Sequence, residues 1–139
     1  MGANEELFEV TSMFQTFLKG ISQNWKKEGY SISINQFKVL RILATEGPQK
    51  VSELANILCL SSAAITGVTD QLDLDGYVHK ERCSQDRRAV IITITETGKS
   101  MDESIVNSQS GMFQSYFQIL SRQDIQHLKR IFSMLNSNF

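Results

Sequence analysis

A chain of 139 residues with 41% apolar and 21% charged side chains is long enough to bury a core and too apolar for a disordered chain. Its net charge of −1 carries no global sign of nucleic-acid binding, so any such activity must come from local charge and motif. Two isolated cysteines, Cys59 and Cys83, exclude a disulfide framework and a CxxC site.

No apolar run approaches the roughly 20 residues of a membrane span. The start, MGANEELFEV, lacks the basic and apolar regions of a signal peptide. A cytoplasmic protein without membrane contact is expected.

In chain order, Leu7, Val10, Phe14, Phe17, Ile21 and Trp25 recur at steps of three and four, which predicts one long helix ending near Gly29. Its aromatic stripe needs another helix to cover it. Ser33 with Gln36 has the spacing of a capping box and opens a second, shorter helix carrying Phe37, Leu40 and Leu43. The sequence EGP at 46–48 breaks it.

A third helix is expected from Val51 to Leu58, then a turn around Cys59 and Leu60, then a helix capped by Ser61 and stopped at Gly76. Helix, tight turn, helix is the result. In its last member Ile65, Val68 and Leu72 are the expected core stripe, and Ser62, Thr66, Thr69 and Asp73 the outer one. Ala63 and Gly67 keep that outer side slim. Short hydroxyls on a slim face suit approach to base edges in a major groove; the same face is also compatible with a solvated surface of poor helix formers.

YVHKER and AVIITIT read as two strands joined by the turn SQDRR, a ribbon that must pack on the preceding helices. Its tip carries Asp86, Arg87 and Arg88. An arginine there suits a narrow, electronegative minor groove, and Lys50, Lys80 and Arg82 are candidate phosphate contacts. The bland alternative is a solvated loop in which Asp86 pairs an arginine for about 0 to 1 kcal/mol.

The remaining third reads as two helices. Thr95 caps one carrying Met101, Ile105, Ser108, Met112, Tyr116 and Ile119 or Leu120. Ser121 with Asp124 opens the last, with Ile125, Leu128, Ile131, Phe132 and Leu135. So many apolar stripes outside one small module point to pairing across a two-fold axis.

Between Val51 and Lys99 the segments SELA, ITGVTDQLDLDGYV, DRR and ITETGK stand in an order and at spacings that resemble the winged helix-turn-helix of the MarR family of bacterial transcription regulators. The flanking helices continue that layout. The resemblance implies a mostly α-helical fold with a two-stranded β wing and N- and C-terminal dimerisation helices. One domain over 1–139 is expected, with residues 1–30 and 96–139 dimerising and 33–95 binding DNA.

It further implies a homodimer on a pseudo-palindromic double-stranded operator, most often a repressor released by a signal. The helix from Ser61 and Ser62 would enter the major groove, Arg88 the minor groove, with Asp86 holding the wing and Arg87 facing a phosphate. One departure is that the recognition helix has no lysine or arginine and carries Asp70, Asp73 and Asp75. A small-molecule effector lodged near Phe14, Phe17 and Trp25 is a further expectation.

Other classes have weaker support. Neither His79 nor His127 lies in an HExxH motif, and there is no GxSxG elbow or phosphate-cradling glycine loop, so no catalytic residues, metal or cofactor are expected. A winged helix that binds protein would not require the arginine tip. A thiol- or metal-responsive regulator would draw on Cys59, His79, Cys83 or His127, which no spacing brings together.

Overall fold

The computed structural model describes residues 2–86, 88–108 and 114–139. It divides into two compact units, one up to Lys99 and one from Ser100.

The first unit opens with α1 (Ala3–Glu28), which ends where Gly29 takes a left-handed φ of 70°. Ile21 is buried and Trp25 half-buried, whereas Leu7, Val10, Phe14 and Phe17 are exposed. The stripe read from the sequence is therefore buried most deeply at its C-terminal end. There the Trp25 indole N–H donates to the Ile32 carbonyl at 3.0 Å, and its ring meets Tyr30 and Phe37 at centroid distances of 4.5 and 5.4 Å.

The capping box forms. The Gln36 N–H donates to Ser33 Oγ at 3.1 Å and the Ser33 N–H to Gln36 Oε1 at 2.8 Å, which opens α2 (Ile34–Glu46) by satisfying two of its orphan donors.

Next come β1 (Gln49–Lys50), α3 (Val51–Leu58) and α4 (Ser62–Leu74), with 112° between the two helix axes. Such an angle is the usual one for a helix-turn-helix. Cys59 takes a left-handed φ of 55° at the turn, and Ser61 caps α4 by accepting from the Ala64 N–H at 3.0 Å.

β2 (Val78–Arg82) and β3 (Val90–Ile94) form the expected antiparallel ribbon, with Lys80 opposite Ile92 and Arg82 opposite Val90. A third strand, absent from the sequence reading, completes the sheet in the order β1-β3-β2. Two residues long, β1 pairs Gln49 with Ile92 and Lys50 with Ile91. So short an edge has no periodicity to read.

The core of this unit is Phe37, Val39, Leu40 and Leu43 from α2, Leu54 from α3, Ile65 and Leu72 from α4, Val78 from β2 and Ile92 from β3, all buried.

The second unit begins within α5 (Glu96–Val106) and continues with α6 (Gln114–Phe117) and α7 (Arg122–Asn136). The single long helix expected from Thr95 is thus corrected: α5 ends at Val106. The Ser108 hydroxyl donates to the Ile105 carbonyl at 2.7 Å, and such local side-chain bonding competes with helix continuation. Tyr116 sits in the separate α6, and Ile119 is exposed outside any helix. Met112 lies outside the described residues.

Ser121 and Asp124 form the expected capping box, each N–H donating to the other's side chain at 3.1 Å. No residue of α7 is fully buried. Phe117, Ile125, Leu128 and Phe132 line an open hollow of about 690 Å³ in this unit, and Ile131, Met134 and Leu135 are exposed.

Candidate nucleic-acid interface

Helix α4 lies on α2, α3 and β2, and its buried residues are Ile65, Thr69 and Leu72. Thr69, expected on the outer face, is 0% exposed and is corrected to a core position. Its hydroxyl donates to the Ile65 carbonyl at 2.8 Å, so the side chain satisfies its polar atom on its own helix and packs as an apolar group. Val68, expected in the core, is half-buried.

The exposed stripe is therefore Ser62, Thr66, Asp70 and Asp73, with Asp70 where the sequence reading had Thr69. Steps of four, four and three replace four, three and four. Both fit a helix, which is why periodicity alone did not separate them.

At the head of α4, Ser61 and Ser62 are exposed. The Ser61 oxygen that accepts the cap bond retains its own O–H as a donor. The first N–H groups of the helix, which no intrahelical carbonyl satisfies, add a positive end suited to a phosphate.

The wing loop is closed by the Cys83 N–H donating to the Ala89 carbonyl at 2.9 Å, and the Ala89 N–H donates to the Asp86 carbonyl at 2.9 Å. Within that turn the Asp86 carboxylate accepts the Arg88 backbone N–H at 3.0 Å, a local bond typical of aspartate. The same carboxylate lies 3.6 Å from Arg88 Nε. The Arg88 side chain is 94% exposed and that of Asp86 53%, so aspartate shapes the turn and the guanidinium extends from it. Arg87 lies outside the described residues.

Lys50 and Arg82 are exposed, and the Lys50 N–H donates to Glu53 Oε1 at 2.9 Å. Lys80 differs: its Nζ lies 2.5 Å from Asp70 Oδ1, and its side chain is only 15% exposed.

Trp25, Lys26, Tyr30 and Ile32 contribute to a hollow of about 440 Å³, and Phe14 and Phe17 are not among its lining residues. On a rise of 1.5 Å per residue, Phe14 stands roughly 16 Å along the helix from Trp25. The three residues grouped from the sequence are not brought into that one hollow. Among the described residues no cluster of three or more His, Cys, Asp or Glu is placed to hold a metal ion, and no single helix is long and apolar enough to cross a membrane.

A helix-turn-helix followed by a ribbon with an arginine at its tip defines a winged-helix module. The sequence model of the MarR family matches residues 32–90. YpoP of Bacillus subtilis, an uncharacterized HTH-type transcriptional regulator, is 35% identical over 127 residues, covering 91% of this chain and 88% of its own. Among solved structures, a cysteine-to-serine mutant of E. coli MarR in complex with operator DNA superposes with a TM-score of 0.79 at 18% identity, over 97% of this chain and 99% of that one. BpsR of Bordetella bronchiseptica, whose regulation of DNA binding by 6-hydroxynicotinic acid has been described, has a TM-score of 0.79 at 18% identity, over 92% and 98%. The chain belongs to the MarR family of winged helix-turn-helix transcription regulators.

Proposed function

We propose that this chain binds a pseudo-palindromic DNA operator as a cytoplasmic homodimer and represses transcription until a small-molecule signal releases it. The observation that carries the reading is the arrangement of one module: the exposed stripe of Ser62 and Thr66 on α4, and Arg88 on a ribbon whose β2 strand packs against that helix. Hydroxyls on the helix read base edges in the major groove while Arg88 enters the minor groove and Arg87 meets a phosphate. Ser61, Lys50 and Arg82 add backbone contacts that position the module. Residues 33–95 form this DNA-binding region in our reading, and residues 1–30 and 96–139 the dimerisation region.

Dimerisation is supported by the exposed apolar side chains of Leu7, Phe8, Val10 and Met13 on α1 and of Ile131, Met134 and Leu135 on α7. Pairing through a two-fold axis would cover them. Operator binding by E. coli MarR, and regulation of BpsR by an aromatic acid, are consistent with both halves of the proposal. The protein has no catalytic role in this reading.

Selection of bound duplexes from a random pool tests it. Recovery of a two-fold symmetric site bound by the dimer is expected; recovery of no preferred sequence sinks the reading. Compounds that quench Trp25 are then screened for release of that site, since an effector must bind the two states unequally to act.

A further inference from the structure

We propose that Asp70 and Lys80 form a strap that sets the angle between the recognition helix and the wing, and that Lys80 serves this pair instead of a DNA phosphate. The proposal rests on the DNA-binding reading above and assigns two residues within it.

Three observations carry it. Asp70 lies one turn beyond Thr66, in the exposed stripe that also holds Ser62. Its carboxylate is 2.5 Å from the Lys80 ammonium, which reaches it from β2 across ten residues of sequence. The Lys80 side chain is 15% exposed against 64% for Asp70, and it stands opposite Ile92, a buried residue of the sheet. Lys80 thus leaves the ribbon on the side that carries the core, with its ammonium ending on the helix. A lysine reaching for a phosphate would have its stem and ammonium in solvent.

The pair joins the two elements that would read DNA. The helix supplies major-groove contacts and the ribbon the minor-groove arginine, so both are satisfied on one duplex only at one mutual angle. Two-stranded ribbons are marginal alone, and apolar burial such as that of Val78 on β2 is less directional than a charge-assisted hydrogen bond. The strap also gives a function to a carboxylate that, unpaired on that stripe, would repel the DNA backbone.

The test measures Asp70→Asn (D70N), Lys80→Met (K80M), the double variant and Lys80→Arg on a duplex selected by the parent and on a scrambled duplex, over a range of salt. A positioning pair is lost once: D70N and the double variant are each expected to bind the selected duplex about tenfold more weakly, with scrambled-duplex affinity and salt slope near parental values, K80M at least as weakly because it leaves the Asp70 carboxylate unpaired, and Lys80→Arg close to the parent. A phosphate contact predicts that K80M weakens both duplexes and lowers the salt slope by about 0.9, and that D70N strengthens binding; that pattern overturns the proposal, as does parental affinity in both single variants. Melting temperatures identify misfolding, and D70N, nearly isosteric at an exposed site, keeps the test readable if K80M unfolds. A parent that binds no duplex selectively overturns the DNA-binding reading itself, and the strap's role with it.

Discussion

The Thr95 hydroxyl donates to the Gly76 carbonyl at 2.7 Å and accepts the Gly98 N–H at 3.1 Å, so one side chain ties the end of the recognition helix to the first turn of α5. The Thr95 N–H adds a bond to the Tyr77 carbonyl at 3.0 Å. Gly98 is buried in this knot, where a Cβ would collide with the Tyr77 carbonyl oxygen and stand 2.7 Å from Ile94 Cγ1. Gly98→Ala is therefore expected to destabilise by about 1 to 3 kcal/mol, and Thr95→Val, which removes both side-chain bonds, by about 1 to 3 kcal/mol. Urea melts check both; parental midpoints would mean that the knot is slack.

At the wing, Arg88→Ala is expected to weaken operator binding by about 1 to 3 kcal/mol with an unchanged melting temperature, because the side chain is solvated in the free protein. Arg87→Ala acts less strongly and leaves sequence preference alone. Asp86→Ala should weaken binding although it removes a negative charge, since the turn loses the bond that shapes it. Titrations at several salt concentrations decide the matter, and a tighter-binding Asp86→Ala would show that the turn holds its shape without that carboxylate.

On the recognition helix, changing Thr66 is expected to alter site preference at a nearly constant melting temperature, while Leu72→Ala costs about 2 to 5 kcal/mol. Val68→Ala should cost less, the side chain being half-buried. Thr69→Val keeps shape and removes a bond that the helix makes to itself, so a loss of no more than about 1 kcal/mol is expected, with the selected sequence unchanged. A new base preference in Thr69→Val would place that residue against DNA after all.

Deleting residues 121–139 removes α7 and its exposed apolar face. Loss of the dimer, or of solubility, and loss of specific binding are expected together, because two half-site contacts gain from being held at a fixed separation of about 10 base pairs. Light scattering and gel shifts on the truncated chain give the answer: a soluble monomer with parental affinity for a full site removes the case for an obligate dimer.

Cys59 holds a left-handed φ of 55° in the turn between α3 and α4. Glycine adopts that conformation without the Cβ penalty of about 1 to 2 kcal/mol, partly offset by its greater unfolded-state entropy. Cys59→Gly is expected to raise stability by up to about 1 kcal/mol; a lower melting temperature would mean that the cysteine side chain contributes more than its strain costs.

The sequence by itself determined what is local. The part Asp86 plays in the wing turn was implied by the family resemblance, whereas capping boxes at Ser33 and Ser121, the Ser61 cap and the helix stop at Gly29 depend on groups within a few residues of each other and were legible in the local sequence. The wing and the helix that starts at Ser61, the two parts of the candidate interface, were legible on the same ground.

Tertiary structure decided what depends on neighbours distant in the chain. Which of Val68 and Thr69 is buried turns on how α4 rolls against α2, α3 and β2, and a threonine that bonds its own Ile65 carbonyl does not resist burial. β1 exists because β3 presents an edge to it, and two residues carry no period of their own. Lys80 and Asp70 read separately as a phosphate contact and an unfavourable charge. They became a pair because the fold sets the strand beside the helix, and a charge finds its partner through space.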